Sequence, residues 1–230
     1  MMKNNDIFLL MGQSNMAGRG VVTEVSAISD SKIRMLRDQL WQPAVEPLHQ
    51  DKPDAGVGLA MSFAKQARLD KPERAVSLIP TAVGSTSLDE WSQGPLYEHA
   101  LRSAKEAMSQ GRLRAALWHQ GESDSGDPER ANSYAEKLTR FIEKIRRDLG
   151  EPNLPFIAGE LPHFLQKEDK FRYTEHVNQA LRDLSDQVPH YQFVSAQGLT
   201  ANPDIVHYDA KSLRTFGERY FDAYLRSQHD

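Results

Sequence analysis

The 230 residues predict an α/β domain, a three-layer sandwich with a parallel sheet between two layers of helices. Three observations carry this. Short, nearly continuous apolar runs recur along the chain, as parallel strands covered on both faces require. Between them lie longer segments whose apolar residues return every three or four positions, the stripe of an amphipathic helix. The two kinds of segment alternate, and parallel strands need such crossovers where antiparallel ones need only a short turn.

Taken in order, the first strand is Asp6–Met11 and the second Lys32–Leu36. The stretch from Gln42 to Asp54 holds three prolines and reads as one long ordered loop. A helix over Gly56–Leu69 leads to the strand Ala75–Pro80, and a helix over Pro95–Gln110 leads to the strand Ala115–His119. The clearest helix is Pro128–Leu149, where Tyr134, Leu138, Phe141, Ile142, Ile145 and Leu149 share one face. Asp127 suits its N-cap, and Pro128 suits the first helical position, where a missing N–H costs nothing. The strand Pro155–Glu160 follows. Val177, Ala180, Leu181, Leu184 and Val188 then mark another helix, Gln192–Ser195 another strand, and Leu213, Phe216, Tyr220 and Tyr224 a last helix. No repeat, low-complexity segment or linker interrupts the pattern, so residues 1–230 are expected to form one domain.

Composition narrows the function. Hydrophobic residues make up 39% and charged residues 26%, and the formal net charge is -4. No run of Lys or Arg would draw the chain to nucleic acid or an anionic membrane, so a neutral or mildly polar small-molecule substrate is expected. No apolar stretch is long enough to span a bilayer, and the N-terminus lacks the apolar core and cleavage site of a signal peptide. The absence of cysteine excludes disulfides, thiolate nucleophiles and Cys-ligated zinc. A cytoplasmic enzyme is the default expectation, although a mature secreted form would read the same. Oligomeric state leaves no sequence signal.

The first strand ends in Gly12-Gln13-Ser14-Asn15-Met16-Ala17-Gly18. Ligands of open parallel sheets bind at the carboxyl ends of the strands, which is where a serine on this turn would sit. The plainer reading is a helix cap, a part that either Ser14 or Asn15 could play. The segment is neither the Gly-x-Ser-x-Gly elbow, since position 16 is Met, nor a phosphate loop, since the Lys-Ser/Thr pair is missing.

A serine hydroxyl needs a neighbouring base, usually an oriented histidine. Of eight histidines, three follow a carboxylate by three residues: Glu46/His49, Glu160/His163 and Asp204/His207. That spacing lets the carboxylate reach Nδ1, but it does not choose among the three. Position does. His49 lies in the Pro-rich loop. His163 follows a strand and is kept as a substrate-side candidate. Asp204-Ile205-Val206-His207 follows the last strand and precedes the last helix, which makes His207 the expected base.

Two further segments follow strands. In Thr81-Ala82-Val83-Gly84-Ser85-Thr86-Ser87-Leu88, Gly84 could offer a backbone N–H to an oxyanion. In His119-Gln120-Gly121-Glu122-Ser123-Asp124, the Gln120 amide could do so. His119, Glu122 and Asp124 are also potential metal ligands, but their spacing matches no hydrolase zinc motif, so no metal is expected.

These segments, in this order, resemble the sialate O-acetylesterase and carbohydrate esterase family 6 branch of the SGNH hydrolases. The resemblance rests on Gly12–Gly18, on Gly84–Leu88 with Trp91, on Trp118–Asp124, and on Asp204–His207 with the stretch through Tyr220. It implies a flavodoxin-like sheet of strand order 2-1-3-4-5 and ester hydrolysis without metal or other cofactor. It puts the nucleophile on Ser14 and the base on His207. It assigns the oxyanion donors to the N–H groups of Ser14 and Gly84 and to the Gln120 side chain. The orienting carboxylate is Asp204 or Glu122, with Asp204 favoured because its spacing needs no long-range contact. Acetylated xylan-type sugars and O-acetylated sialic acids both suit the family, with Asn15, Trp91 and His163 as substrate-side candidates. A lipid or thioester hydrolase, or an inactive carbohydrate-binding protein on the same scaffold, are the alternatives.

Overall fold

The computed structural model describes residues 4–228. In chain order its elements are β1 (Asn5–Gly12), α1 (Ser14–Ala17), β2 (Ile33–Arg37), β3 (Leu40–Pro43), α2 (Ala60–Asp70), β4 (Ala75–Pro80), α3 (Leu88–Ser92), α4 (Pro95–Met108), β5 (Arg112–His119), α5 (Pro128–Leu149), β6 (Phe156–Gly159), α6 (Thr174–Gln187), β7 (Tyr191–Val194) and α7 (Ala210–Arg226). Short 3-10 turns lie at Val22–Glu24, His163–Lys167 and Asp169–Phe171.

The sheet runs β3-β2-β4-β1-β5-β6-β7, and every pairing is parallel except β2 with β3. Counting β1, β4, β5, β6 and β7 alone, the order is the flavodoxin-like 2-1-3-4-5. The β2–β3 hairpin extends that sheet beyond β4. The sequence pattern does not show β3, because Gln42 and Pro43 read as the start of the Pro-rich loop.

Alternation in the central strand divides the core. Ile7, Leu9 and Met11 face the layer of α3, α4, α5 and α6, while Phe8 and Leu10 face α2 and α7. Both faces of β1 are therefore dry, which explains its continuous apolar run. Burying each such side chain is worth about 1.5–3 kcal/mol, so β1 alone anchors both layers.

α5 has the expected ends. The Asp127 side chain accepts the N–H groups of Glu129 and Arg130, and Gly150 closes the helix in the left-handed region. α2 begins later than the expected Gly56, because residues 56–58 run alongside residues 18–20. The N–H of Gly56 donates to Gly18 O at 3.0 Å, and Gly20 pairs with Val57. A side chain on Gly18 would meet the Val57 carbonyl at 2.6 Å. Helix geometry gives way there to a close backbone crossing. No helix of the described residues is long and apolar enough to cross a membrane.

Candidate active site

The site gathers at the carboxyl ends of β1, β4 and β5 and at the loop before α7. β1 ends at Gly12, whose φ is 128° and whose missing side chain would meet His119 O at 2.0 Å. Only glycine lets the chain turn so close to β5. The N–H of Gln13 then donates to His119 O at 2.8 Å, which ties the turn to β5. Ser14 opens the single turn α1 but does not cap it, and the side chain of the N-cap residue Gln13 makes no capping bond. The Ser14 hydroxyl instead lies 2.9 Å from Nε2 of His207.

His207 is held by its own loop. Asp204 Oδ1 accepts the N–H groups of Val206 and His207, each at 2.9 Å, and Oδ2 lies 2.7 Å from His207 Nδ1. The fold of the loop requires Ile205 in the left-handed region, with φ 55°. Partial burial pushes the Asp204 pKa up, but the hydrogen bonds from the His207 ring and the two N–H groups hold it below the ordinary 3.8. An ionised carboxylate there favours the tautomer with its proton on Nδ1, which turns the Nε2 lone pair toward the Ser14 hydroxyl.

Glu122 does not reach His207. It is 2% exposed, and its Oε1 accepts the Asn15 amide at 2.7 Å and lies 3.4 Å from His119 Nδ1. Asn15 Oδ1 accepts the N–H of Tyr208 at 3.1 Å. Glu122 thus bears on the base through Asn15 and the residue after His207.

Several sequence expectations fail on geometry. The Gln120 side chain is fully buried, and its amide nitrogen donates to Thr86 O at 2.9 Å and Asp124 Oδ2 at 2.5 Å. Both hydrogens are engaged, so Gln120 has none left for an oxyanion. The N–H of Gly84 donates to Asp51 Oδ2 at 2.7 Å, within a buried Arg19–Asp51 ion pair, and is likewise occupied. Trp91 is fully buried, donates to Thr86 Oγ1 at 3.0 Å and packs edge-on against Trp118, so it cannot stack on a sugar. Asn15, also fully buried, spends its amide on Glu122 and Tyr208. His163 is exposed beside Glu160 at 3.1 Å and is absent from the cleft wall.

The cleft beside Ser14 has a volume of about 630 Å³. Its wall includes Gln13, Ser85, Ser123, Arg130, Lys170 and Phe171 beside Ser14 and His207. Gln13 and Ser85 adjoin residues that the motifs mark. Arg130 and Lys170 carry no local signal, since only the packing of α5 and the Asp169–Phe171 turn brings them here. A somewhat larger hollow of about 700 Å³ lies under residues 25–30 and contains none of these groups. No group of three or more His, Cys, Asp or Glu among the described residues is placed to hold a metal ion. His119 Nε2 is on Glu160 O at 3.1 Å, and Asp124 is bound to Leu88 N and Gln120.

Residues 4–226 match the model of the family described as carbohydrate esterase, sialic acid-specific acetylesterase. The chain belongs to that family. Membership makes the protein a carboxylic ester hydrolase of the carbohydrate acetylesterase type. This esterase is 33% identical to a probable carbohydrate esterase of Arabidopsis thaliana over 243 aligned positions, covering 96% of the chain and 90% of that protein. An X-ray structure of an Arabidopsis thaliana protein superposes on the esterase with a TM-score of 0.85 at 31% identity, covering 97% of this chain and 98% of that one. A carbohydrate acetylesterase from Xanthomonas citri shares the fold, with a TM-score of 0.74 at 18% identity over 98% of this chain and 57% of that one.

Proposed function

We propose that the esterase removes O-acetyl groups from a carbohydrate through an acyl-enzyme, with Ser14 as nucleophile, His207 as base and Asp204 as its orienting carboxylate. The observation that carries this is the unbroken line of hydrogen bonds from Asp204 Oδ2 to His207 Nδ1 and from His207 Nε2 to Ser14 Oγ.

As Ser14 Oγ bonds to the acyl carbon, its proton passes to His207 Nε2 and the carbonyl electron pair moves onto oxygen. Collapse of the adduct breaks the bond to the sugar oxygen, which takes the proton back from His207. Water then attacks the acyl-serine by the same route, releasing acetate and restoring Ser14. Asp204 stabilises the imidazolium without taking a proton.

The polar cleft wall favours a carbohydrate over a lipid or thioester, since Phe171 and Val206 are its only large apolar members. Arg130 and Lys170 on that wall stand beside Glu122, Asp127 and Asp204, so its charge suits an O-acetylated sialic acid and a neutral acetylated xylo-oligosaccharide alike. Acetate release from both substrates orders them directly.

A serine-reactive phosphonate should label Ser14 alone. Ser14→Ala should stay folded and lose kcat on the order of a millionfold. Wild-type turnover by that variant overturns the reading.

A further inference from the structure

The loop that carries the base also separates two hollows. On one side is the cleft beside Ser14, which Asp204, Val206 and His207 help to line. On the other is a hollow of about 430 Å³, walled by Val21, Val22, Asp54, Pro203 and Asp204 beside the crossing of residues 18–20 with residues 56–58. That volume falls in the range of small-molecule sites, about 300–1,000 Å³. Asp204 lines both, so the two are continuous along its loop. Asn202 braces the shared wall. Its side chain donates to Arg19 O at 2.7 Å, its N–H donates to His207 O at 2.7 Å, and its carbonyl accepts the Ile205 N–H at 2.9 Å.

Two features mark this rim as a contact surface. Six large hydrophobic side chains are exposed among the described residues. Val21 and Val22 are two of them and line the hollow, and Ile205 is a third, on the loop between hollow and cleft. Scattered singly they would need no explanation, but they gather beside a cleft. Ile205 is moreover left-handed, with φ 55°, where a β-branched residue is strained. Asp38 and Gln39 share that conformation because they turn the β2–β3 hairpin. The base loop needs a left-handed residue too, but glycine or asparagine would meet that need at less cost. Ile205 is 50% exposed, so core packing does not offset its strain, and its side chain is left for a contact outside the chain.

The lining fits a sugar ring. Val21, Val22 and Pro203 offer apolar surface to the C–H face of a pyranose. Asp54, with its side chain 70% exposed and held among the described residues only by Arg19 Nε at 3.5 Å, offers carboxylate oxygens to its hydroxyls. Two hydrogen bonds, of 2.7 and 2.9 Å, and one imidazole separate Asp204 from the Ser14 hydroxyl. A ring in the hollow is therefore not the one that bears the acetyl group but a neighbour of it. We propose that this hollow is an accessory subsite for an adjacent pyranose of an acetylated oligosaccharide, with Val22, Asp54 and Ile205 as specificity-determining residues. The proposal rests on the carbohydrate-esterase reading of the Ser14 site.

The test pairs each substrate with a shorter form of itself: acetylated xylotriose with acetylated methyl xyloside, and O-acetylated sialyllactose with free O-acetylated sialic acid. Wild type should favour the longer member of one pair by about tenfold in kcat/KM. The effect should fall on KM, because such a subsite binds ground and transition states alike. Val22→Asp and Asp54→Ala should bring that ratio to within about threefold of one, and Ile205→Gly, which the left-handed backbone accepts, should do the same. Both members of a pair are assayed on the same variant, so general damage lowers both and leaves the ratio. A wild type that hydrolyses p-nitrophenyl acetate but favours the longer member of neither pair overturns the subsite, as does a ratio that the three variants leave unchanged. A wild type inactive on p-nitrophenyl acetate overturns the esterase reading beneath it instead.

Discussion

Asp204 and Glu122 approach the Ser14–His207 pair from two different regions. Asp204 sits on the loop before α7 with its side chain 47% exposed, and its polar contacts fall within three residues of itself. Glu122 lies in the segment after β5, 2% exposed, and its contacts reach Asn15, 107 residues away. The first region touches His207 directly and stays open to the cleft. The second holds up the first through the Asn15 bridge to Tyr208. A group that must meet substrate is organised locally, whereas its support is buried, where unpaired polar atoms cost about 1–3 kcal/mol each and geometry is correspondingly rigid.

That contrast can be broken by exchanging the charges. Asp204→Asn should lower kcat by about 10⁴ with little change in KM, because the imidazolium loses its partner and its tautomer. Glu122→Gln keeps an acceptor for Asn15 and should lose only about tenfold, provided both variants match wild type in circular dichroism and melting. The opposite order would make Glu122 the orienting carboxylate.

Asn15→Ala sharpens the comparison by cutting the bridge itself. It leaves both carboxylates in place but removes the contacts to Glu122 Oε1 and Tyr208 N. A stability loss of about 1–3 kcal/mol in urea is expected, with a kcat effect smaller than that of Asp204→Asn. An unchanged midpoint would show that the buried region does not brace the base loop.

The smallest effect is in pH. Burial holds the His119 pKa below its ordinary 6.5, so the unfolded chain takes up a proton before the folded one does. Melting temperature should therefore decline as pH falls below 6.5, and His119→Gln should flatten that decline. Asp204 has the opposite window. Its folded pKa lies below 3.8, so its contribution to stability is complete above that value and fades only at lower pH. Asp204→Asn should leave the slope between pH 6.5 and about 4 unchanged.

Much of this arrangement is legible in the amino-acid sequence. The apolar run of β1, the Asp127–Pro128 start of α5 and the strand–helix alternation are written in neighbouring residues, because helix ends and strand faces are local properties. The pairing of Asp204 with His207 is legible for the same reason, since three residues of chain bring them together. Ser14 stands out as a serine at a strand end.

The oxyanion donors are not legible in this way. Gln120 and Gly84 carry suitable groups, but whether a group is free depends on what else touches it. Asp51 takes the Gly84 N–H from 33 residues away, and Thr86 takes the Gln120 amide from 34 residues away. Trp91 misleads in the same way, because burial against Trp118 is a fact of layer packing and not of its own segment. The sequence alone determined most of the strands and helices, though neither β3 nor α3, and singled out Ser14, His207 and the Asp204–His207 spacing. Only the tertiary structure decided which of the nearby donors remain unspent, because hydrogen-bonding capacity is used up by partners distant in the chain and close in space.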